Sequence, residues 1–585
     1  MRMPYNPTVP TAAGPFRKGV LAATITLLCS TPASAFEFSL GDSIKGSLDI
    51  TASYSASWRL DDVNEAILNP NNDDGDRAFK KGDLTSSLGK ITYDMELKKR
   101  INADTTFGFF NRGLAFHDAK IAGAHNDHNS PFTLNGNAFF GGSLTEPDEF
   151  TDKTEDRAGT DVKWLDAFLY LNANSSSEHA STLRIGSQVI NWGESLFIQS
   201  GIQNAVNPAD VTQANLPGTE VKEILLPQES LYGSIGLSQN VTLEAYYQWE
   251  WEPTIAPPVG TYLSTNDFIA RDGGETLLLP SLPSPPFPPN MGAFYNRGAD
   301  FEADDHGQYG VALRWFAEAL NDTELGFYYV NYHAKLPSLA LAGMPNFVTM
   351  PAGPGLPPTT LPGPLGPNSY HIEYFEDVQL LGLSFNTVLF DTAFSGEIAW
   401  HKDVPLQTVQ VGPAALGGAV ALAGEPLSLS TPEEMVVAQL TINKNFNNTP
   451  FLGGLADDVG FLMEIGYVNT PDLENGEVYR GPNATDRNAW GYKSRLTLTY
   501  FDGIGKHLSA LSGTDLLVQL MFNHDVEGTS VIPAGSFSDN AKSAAIAFNA
   551  IWQNKLELEL RYNDFFGDGD LIDRDNASLS LKYRF

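Results

Sequence analysis

From Ile44 to Leu60 apolar or small residues alternate with polar ones without a break. Ile44, Gly46, Leu48, Ile50, Ala52, Tyr54, Ala56, Trp58 and Leu60 fall in one register, and Lys45, Ser47, Asp49, Thr51, Ser53, Ser55, Ser57 and Arg59 in the other. A side-chain period of two belongs to a β-strand, so this stretch predicts a ribbon with one apolar and one wetted face. The chain ends in the same way, with Ala577, Leu579, Leu581, Tyr583 and Phe585 set against Ser578, Ser580, Lys582 and Arg584. Strand-like segments between these ends lie near 86–100, 103–117, 160–172, 181–192, 229–238, 240–252, 307–317, 323–334, 377–388, 391–403, 434–446, 457–468, 489–501, 513–526, 541–552 and 554–563. With the two ends this makes about eighteen, each near the roughly 9–11 residues that a tilted membrane strand requires. The segments 377–388 and 513–526 alternate poorly, which leaves about sixteen as the lower count.

The connections alternate too. Long ones at 61–85, 118–159, 193–228, 253–306, 335–376 and 404–433 are interleaved with tight joins near Ile101–Asn102, Gln239, Glu318–Asp322 and Gln553. This predicts an all-β, transmembrane antiparallel barrel of 16–18 strands, with short periplasmic turns and long outer loops. An even count returns both ends of the barrel to the periplasm. The closing alternation Leu579, Leu581, Tyr583, Phe585 is the expected signal for the barrel-assembly machinery, with outer-membrane lipid as the surrounding partner.

The N-terminus fits a Gram-negative exported chain. Arg17 and Lys18 precede the apolar run Gly19–Leu28, and Ala33-Ser34-Ala35 is a small-x-small cleavage site. Residues 1–35 are therefore expected to be a signal peptide cut near Ala35, with 36–585 as the barrel domain in the outer membrane. The single cysteine, Cys29, lies in the leader, and Leu28 before it is too large for a lipoprotein signal. The mature chain is then expected to use neither disulfide nor thiol chemistry. The formal charge of −34 argues against nucleic acid and places the acid excess in solvated loops.

A barrel of this size encloses an aqueous lumen unless something fills it. Its polar faces carry Arg59, Lys90, Arg112, Arg184, Arg314 and Lys493 against Asp94, Asp166, Glu244, Glu397 and Glu464, among others. The signs nearly balance, so the lumen shows no one-sign ladder, and lumenal ion pairs are expected to brace the wall. The outer stretches 276–296, 336–370 and 404–424 carry no charge and are rich in proline, which should keep them from adding strands. Such loops either fold over the mouth or form a contact surface.

The stretch after the fifth strand is the candidate substrate-binding segment, with Arg184, Gln188, Trp192, Glu194, Asn207 and Asp210 as its candidate residues. Rich in amides and turn formers, it suits a loop that dips inward and narrows the channel, with Trp192 as a wall and Glu194 as a polar handle. Trp192 as an anchor at the lipid headgroups is the other reading, and the sequence leaves both open.

No nucleophile elbow, P-loop, dinucleotide fingerprint or H-E-x-x-H occurs, so neither an enzyme nor a cofactor is expected. His117, Asp118, His125, Asp127 and His128 read as a polar loop, and Asp568, Asp570, Asp573 and Asp575 lack the EF-hand order, so no metal is assigned. His524-Asp525 suggests a hydrolase dyad, but no serine is placed to complete a triad.

Several motifs together resemble a large proteobacterial, pseudomonad-type family of outer-membrane proteins of unknown function. They are the run after Phe38 that includes G-S-L-D-I-T-A-S-Y-S-A-S-W-R, N-D-D-G-D-R-A-F-K-K-G-D at 72–83 and R-I-G-S-Q-V-I-N-W-G-E-S from Arg184. N-P-A-D-V at 207–211, Y-Q-W-E-W-E-P-T at 247–254, N-D-T-E-L-G-F-Y at 321–328 and D-R-D at 573–575 belong to the same resemblance. It implies a signal peptide, an outer-membrane barrel, and company with a LolB-like periplasmic lipoprotein and a resistance-nodulation-division (RND) type inner-membrane exporter. It supplies no catalytic residues. The expected function is a monomeric channel or transporter for a hydrophobic or amphipathic small molecule or lipid. The alternatives are a general or hydrophilic-solute porin, a surface interaction protein and, last, an outer-membrane hydrolase.

Overall fold

The protein was analysed as a computed structural model, which describes residues 36–585 apart from 42, 69–70, 73, 124–132, 135–136, 139–148, 175–178, 272–275, 280–290, 344–345, 350–368, 409–425, 447–453, 474–485 and 532–535. The expected leader 1–35 and its cleavage site lie outside the described residues, as do His125, Asp127 and His128.

Eighteen strands form one ring. In chain order they are β1 Ile44–Arg59, β2 Leu84–Arg100, β3 Thr105–Asp118, β4 Thr160–Asn174, β5 Ala180–Gln188, β6 Gln228–Ser238, β7 Val241–Gln248, β8 Gln308–Ala317 and β9 Thr323–Tyr332. They continue with β10 Val378–Leu389, β11 Thr392–Gln407, β12 Ser430–Asn445, β13 Asp458–Asn469, β14 Asn488–Tyr500, β15 Thr514–Glu527, β16 Ala541–Trp552, β17 Leu556–Gly567 and β18 Asn576–Arg584. Each pairs antiparallel with the next. The ring closes where β18 pairs β1, from Thr51 opposite Arg584 to Arg59 opposite Asn576. A short strand, Phe36–Leu40, covers the rest of β1 by pairing with Ile44–Leu48. Closure leaves no barrel strand with an unpaired edge in lipid, where exposed backbone would be prohibitive.

The alternation sets the two faces. Tyr54, Leu169, Leu183, Leu231, Val311, Phe327, Leu383, Ile398, Phe548, Leu560 and Leu581 are large, apolar and exposed on the outside. Trp164, Trp315 and Trp490 are exposed with them. Around a closed sheet this is the apolar band with aromatic girdles of a transmembrane barrel. Tight turns close one end: Phe390 and Asp391, joining β10 to β11, both take the left-handed conformation (φ 52° and 54°) that a two-residue hairpin turn demands.

The two ambiguous segments are full strands, and β10 shows why the first was hard to read. Its Val378 and Leu380 are buried inside, while Leu381 and Leu383 are exposed outside, so both faces are apolar. The expectation of a wetted, charge-balanced inner wall fails over this arc. Ala312, Val330, Val378, Leu380, Ala399, Val437 and Val468 line it and are buried in one apolar cluster inside the barrel.

The hydrolase dyad is not assembled. His524 and Asp525 are neighbours on β15 and point to opposite faces. His524 sits among Tyr492 and Phe522 at 5.8 and 6.3 Å, whereas Asp525 accepts the Ser538 amide at 2.9 Å.

The proline-rich outer stretches do add strands, against expectation. Met291–Arg297 pairs with Thr276–Leu279, Asn346–Thr349 and Ser369–Glu373, and Ser338–Ala342 pairs with Ser369–Glu373 and Leu427–Ser428. These strands form a small sheet of their own, separate from the barrel ring. Met344, Met350 and 409–424 lie outside the described residues.

A buried charge cluster ties the outer loops to the seam. Arg59 of β1 is fully buried and pairs with Asp76 at 3.1 Å and Asp573 at 3.2 Å. Arg574 reaches Asp76 at 2.7 Å, and the Tyr262 ring lies 5.7 Å from Arg59 and 5.6 Å from Arg574.

Candidate functional site: a loop folded into the lumen

Between β5 and β6 the chain turns into the barrel. The turn is set by Asn207, whose side chain accepts the Ile190 amide at 3.0 Å and donates to the Ile190 carbonyl at 2.8 Å. Gly193 has φ 89°, and a Cβ there would lie 2.5 Å from the Glu397 carboxylate, so both conformation and space require glycine.

Three wall glutamates then hold the loop. Glu244 of β7 accepts the Trp192 indole N–H at 2.7 Å and the Arg314 Nε at 2.9 Å. Glu397 of β11 accepts the amides of Glu194 at 2.6 Å and Ile202 at 2.9 Å. Glu464 of β13 accepts three successive amides, Leu196, Phe197 and Ile198, at 3.1, 2.5 and 3.3 Å. Lys493 and Gln439 donate to the carbonyls of Phe197 and Ile198 at 3.0 and 3.1 Å, and Gln248 to that of Val206 at 3.1 Å. A loop buried inside a barrel must satisfy its backbone somewhere, and here the wall's side chains do so.

Apolar side chains of the loop enter gaps left by wall glycines. A Cβ on Gly310 would come within 2.7 Å of Trp192, on Gly382 within 2.7 Å of Ile202, and on Gly466 within 2.5 Å of Ile198. Trp192 also meets the rings of Tyr246 and Tyr328 at 4.9 and 5.8 Å. Trp192 is thus an interior residue, and the headgroup-anchor reading falls.

The second half of the loop is fastened by ion pairs. Lys163 of β4 meets Asp210 at 2.6 Å, Lys90 of β2 binds Glu223, and Lys222 reaches Asp94 at 3.3 Å. Glu220 bonds Lys582 of β18 at 2.9 Å. Burial resists ionisation of Glu220, but the ammonium groups of Lys582 and Lys222 outweigh it and bring its carboxyl down to about 2. The Ser55 hydroxyl of β1 donates to the Pro217 carbonyl at 3.2 Å, so the loop touches the wall from β1 and β2 round to β14 and β18.

Over residues 17–585 the sequence matches the family described as "Protein of unknown function (DUF1302)". The chain belongs to the DUF1302 family. No curated protein matches it. Among solved structures, this DUF1302 chain is similar to Acinetobacter baumannii OccAB4, at 11% identity and TM-score 0.40, over 95% of this chain and 100% of that one. It is also similar to Pseudomonas aeruginosa OpdK with vanillate (10%, TM-score 0.38, 93% and 99%) and to a BenF-like porin from Pseudomonas fluorescens Pf-5 (10%, TM-score 0.39, 93% and 99%). At this distance the likeness is silent on cargo.

Cavities remain on both sides of the DUF1302 loop. One of about 70 Å³ lies between Ser200, Asn204 and Ala205 of the loop and Tyr332, Val378, His401, Val404 and Met435 of the wall, with Lys335 at its border. A second, of about 260 Å³, shares Thr254 with it and is lined by Lys163, Glu252, Arg271 and Tyr374. A third, of about 240 Å³, has a mixed lining: Ser86, Asp118, Asn215, Arg561 and Asn563 stand beside Ile121, Leu216, Tyr262 and Leu263.

Of the six residues singled out from sequence, Trp192, Glu194, Asn207 and Asp210 lie in the loop and Arg184 and Gln188 on the strand before it; other residues line these cavities. Gln188 is buried and donates to the Ser230 carbonyl at 3.0 Å. Asn207 and Asp210 pin the turns, Asp210 also accepting the Gln213 amide at 3.1 Å. Arg184 faces inward with its guanidinium 4.2 Å from the Tyr232 ring. Glu194 accepts from Asn386 at 3.4 Å, and burial pushes its carboxyl up. Sequence reasoning missed the loop-bracing role of Glu397 and Glu464. A usable signal was present: Glu464 and Gly466 share the inner face of β13, a carboxylate next to a gap where a loop can seat.

Proposed function

We propose that this protein is an outer-membrane channel whose inward loop, 189–227, forms the constriction, and that it passes hydrophobic or amphipathic small molecules. The observation that carries this reading is the bracing of one loop across the lumen by Glu244, Glu397 and Glu464 over an apolar inner wall. A pore so filled suits a solute with apolar surface better than free ion flow. Signal-peptide export and cleavage near Ala35 belong to the same reading, as do docking of a LolB-like lipoprotein and an RND-type exporter at the short-turn end. The test is uptake and efflux of apolar, amphipathic and hydrophilic probes in cells with and without the gene. A selective change for the first two classes is expected, and unchanged rates for every class would remove the proposal.

The charged and amide groups of the third cavity, Asp118, Asn215, Arg561 and Asn563, favour a second reading, a hydrophilic-solute porin. Large, steady conductance of the wild-type protein in planar bilayers would support it over the first.

A further inference from the structure

Lys335 follows β9 and is 4% exposed, yet no ion pair holds it among the described residues. Its ammonium donates to the side-chain oxygens of Gln228 at 2.9 Å and Gln308 at 2.5 Å. Both glutamines are fully buried, and each uses its amide N–H on the Glu250 carbonyl, at 3.3 and 3.2 Å. That shared carbonyl fixes both amides the same way round, so each must turn its oxygen to Lys335. Two of three ammonium donors are thereby taken, and the third is left for the cavity that Lys335 borders.

That cavity has no acidic lining residue. Its other titratable group is already committed: the Ser200 carbonyl can only accept, so His401 donates Nε2–H to it at 3.1 Å, and Nδ1 accepts the Tyr332 hydroxyl at 2.9 Å. Ala205, Val378, Val404, Pro405 and Met435 make the rest largely apolar. A buried amine with no carboxylate in contact is costly, since Glu252 acts on it only from beyond ion-pair distance, and an anion beside it would relieve that cost. Resting on the channel reading above, we infer that this cavity is a binding site for the carboxylate of a small amphipathic acid, with Lys335 on the head and the Val378–Val404–Met435 wall on the body. Burial lowers the Lys335 ammonium to about 7, with the Glu252 carboxylate opposing that shift, so a bound carboxylate should draw a proton onto it.

The test is calorimetric titration of the full chain in lipid nanodiscs with hexanoate and with 1-hexanol, empty nanodiscs serving as the blank. Hexanoate should bind at least roughly tenfold more tightly than hexanol, the usual scale of one charge-assisted hydrogen bond. Lys335→Met should abolish the preference while leaving hexanol binding in place, and Lys335→Arg should retain part of it. Val404→Phe, which fills the cavity and leaves the amine, should weaken both probes. Equal affinities in the wild type, no binding of either probe, or a preference that survives Lys335→Met would each overturn the site. Flux plays no part in this readout, so a failed transport assay sinks the channel reading and a failed titration sinks this one.

Discussion

Inside the barrel the indole N–H of Trp192 donates to the carboxylate of Glu244 across 2.7 Å, with both side chains buried. Glu244 keeps Arg314 as a second partner, so losing the indole removes one charged hydrogen bond and much of a packed ring. Trp192→Phe should destabilise the protein by about 1–3 kcal/mol, read as a lower denaturant midpoint for loss of the folded gel band.

Glu464 carries three loop amides by itself. Glu464→Ala orphans all three and should free the first half of the loop. Single-channel conductance in planar bilayers is expected to rise severalfold and become noisy; an unaltered trace would mean the loop is not the constriction.

Gly466 admits Ile198, and there is no room for a side chain there. Gly466→Val should cost about 1–3 kcal/mol through overpacking, and Ile198→Ala in the same chain should recover part of it. Thermal midpoints of the two variants check this.

Arg59 stands between Asp76 and Asp573, all three buried. Arg59→Met leaves their carboxylates short of a cation, although Arg574 still reaches Asp76 at 2.7 Å and Asp573 at 3.5 Å. A loss of about 3–5 kcal/mol is expected, the usual scale for breaking a buried pair from one side. It should show as faster protease nicking of 60–83 in intact cells.

The folded protein gives up the Lys335 proton near pH 7, the unfolded chain near its ordinary 10.5. Between these values the unfolded state binds more protons, so this residue's contribution to stability improves as pH rises from 7 to about 10.5. Its charging cost is complete below 7. The thermal midpoint of Lys335→Met relative to wild type should therefore be most favourable at pH 6 and decline towards pH 10, whatever constant penalty comes from stranding the two glutamines.

The ring of strands was legible because lipid and water impose a period of two on the chain, and β1 and β18 obey it along their paired length. Legibility faded where the inner face met protein instead of water. The Val378 and Leu380 side of β10 packs on the loop, so its strand lost the polar half of the signal. The turn formers of 189–227 suited an inward loop but left the headgroup-anchor reading of Trp192 open, and which side chains would pin the loop was not readable. Asn207 and Gln188 act on backbone groups far along the chain or across strands, and such partners have no sequence period. Lys335 left no trace at all, since burial of one lysine between Gln228 and Gln308 is a property of three distant strand ends brought together.

Glu397 and Glu464 grip the loop by its peptide groups, which every amino acid but proline presents alike. The side chains of Leu196 and Phe197 can therefore change while the peptide groups that Glu464 holds stay in place. The frame is thus indifferent to side-chain identity along this part of the loop.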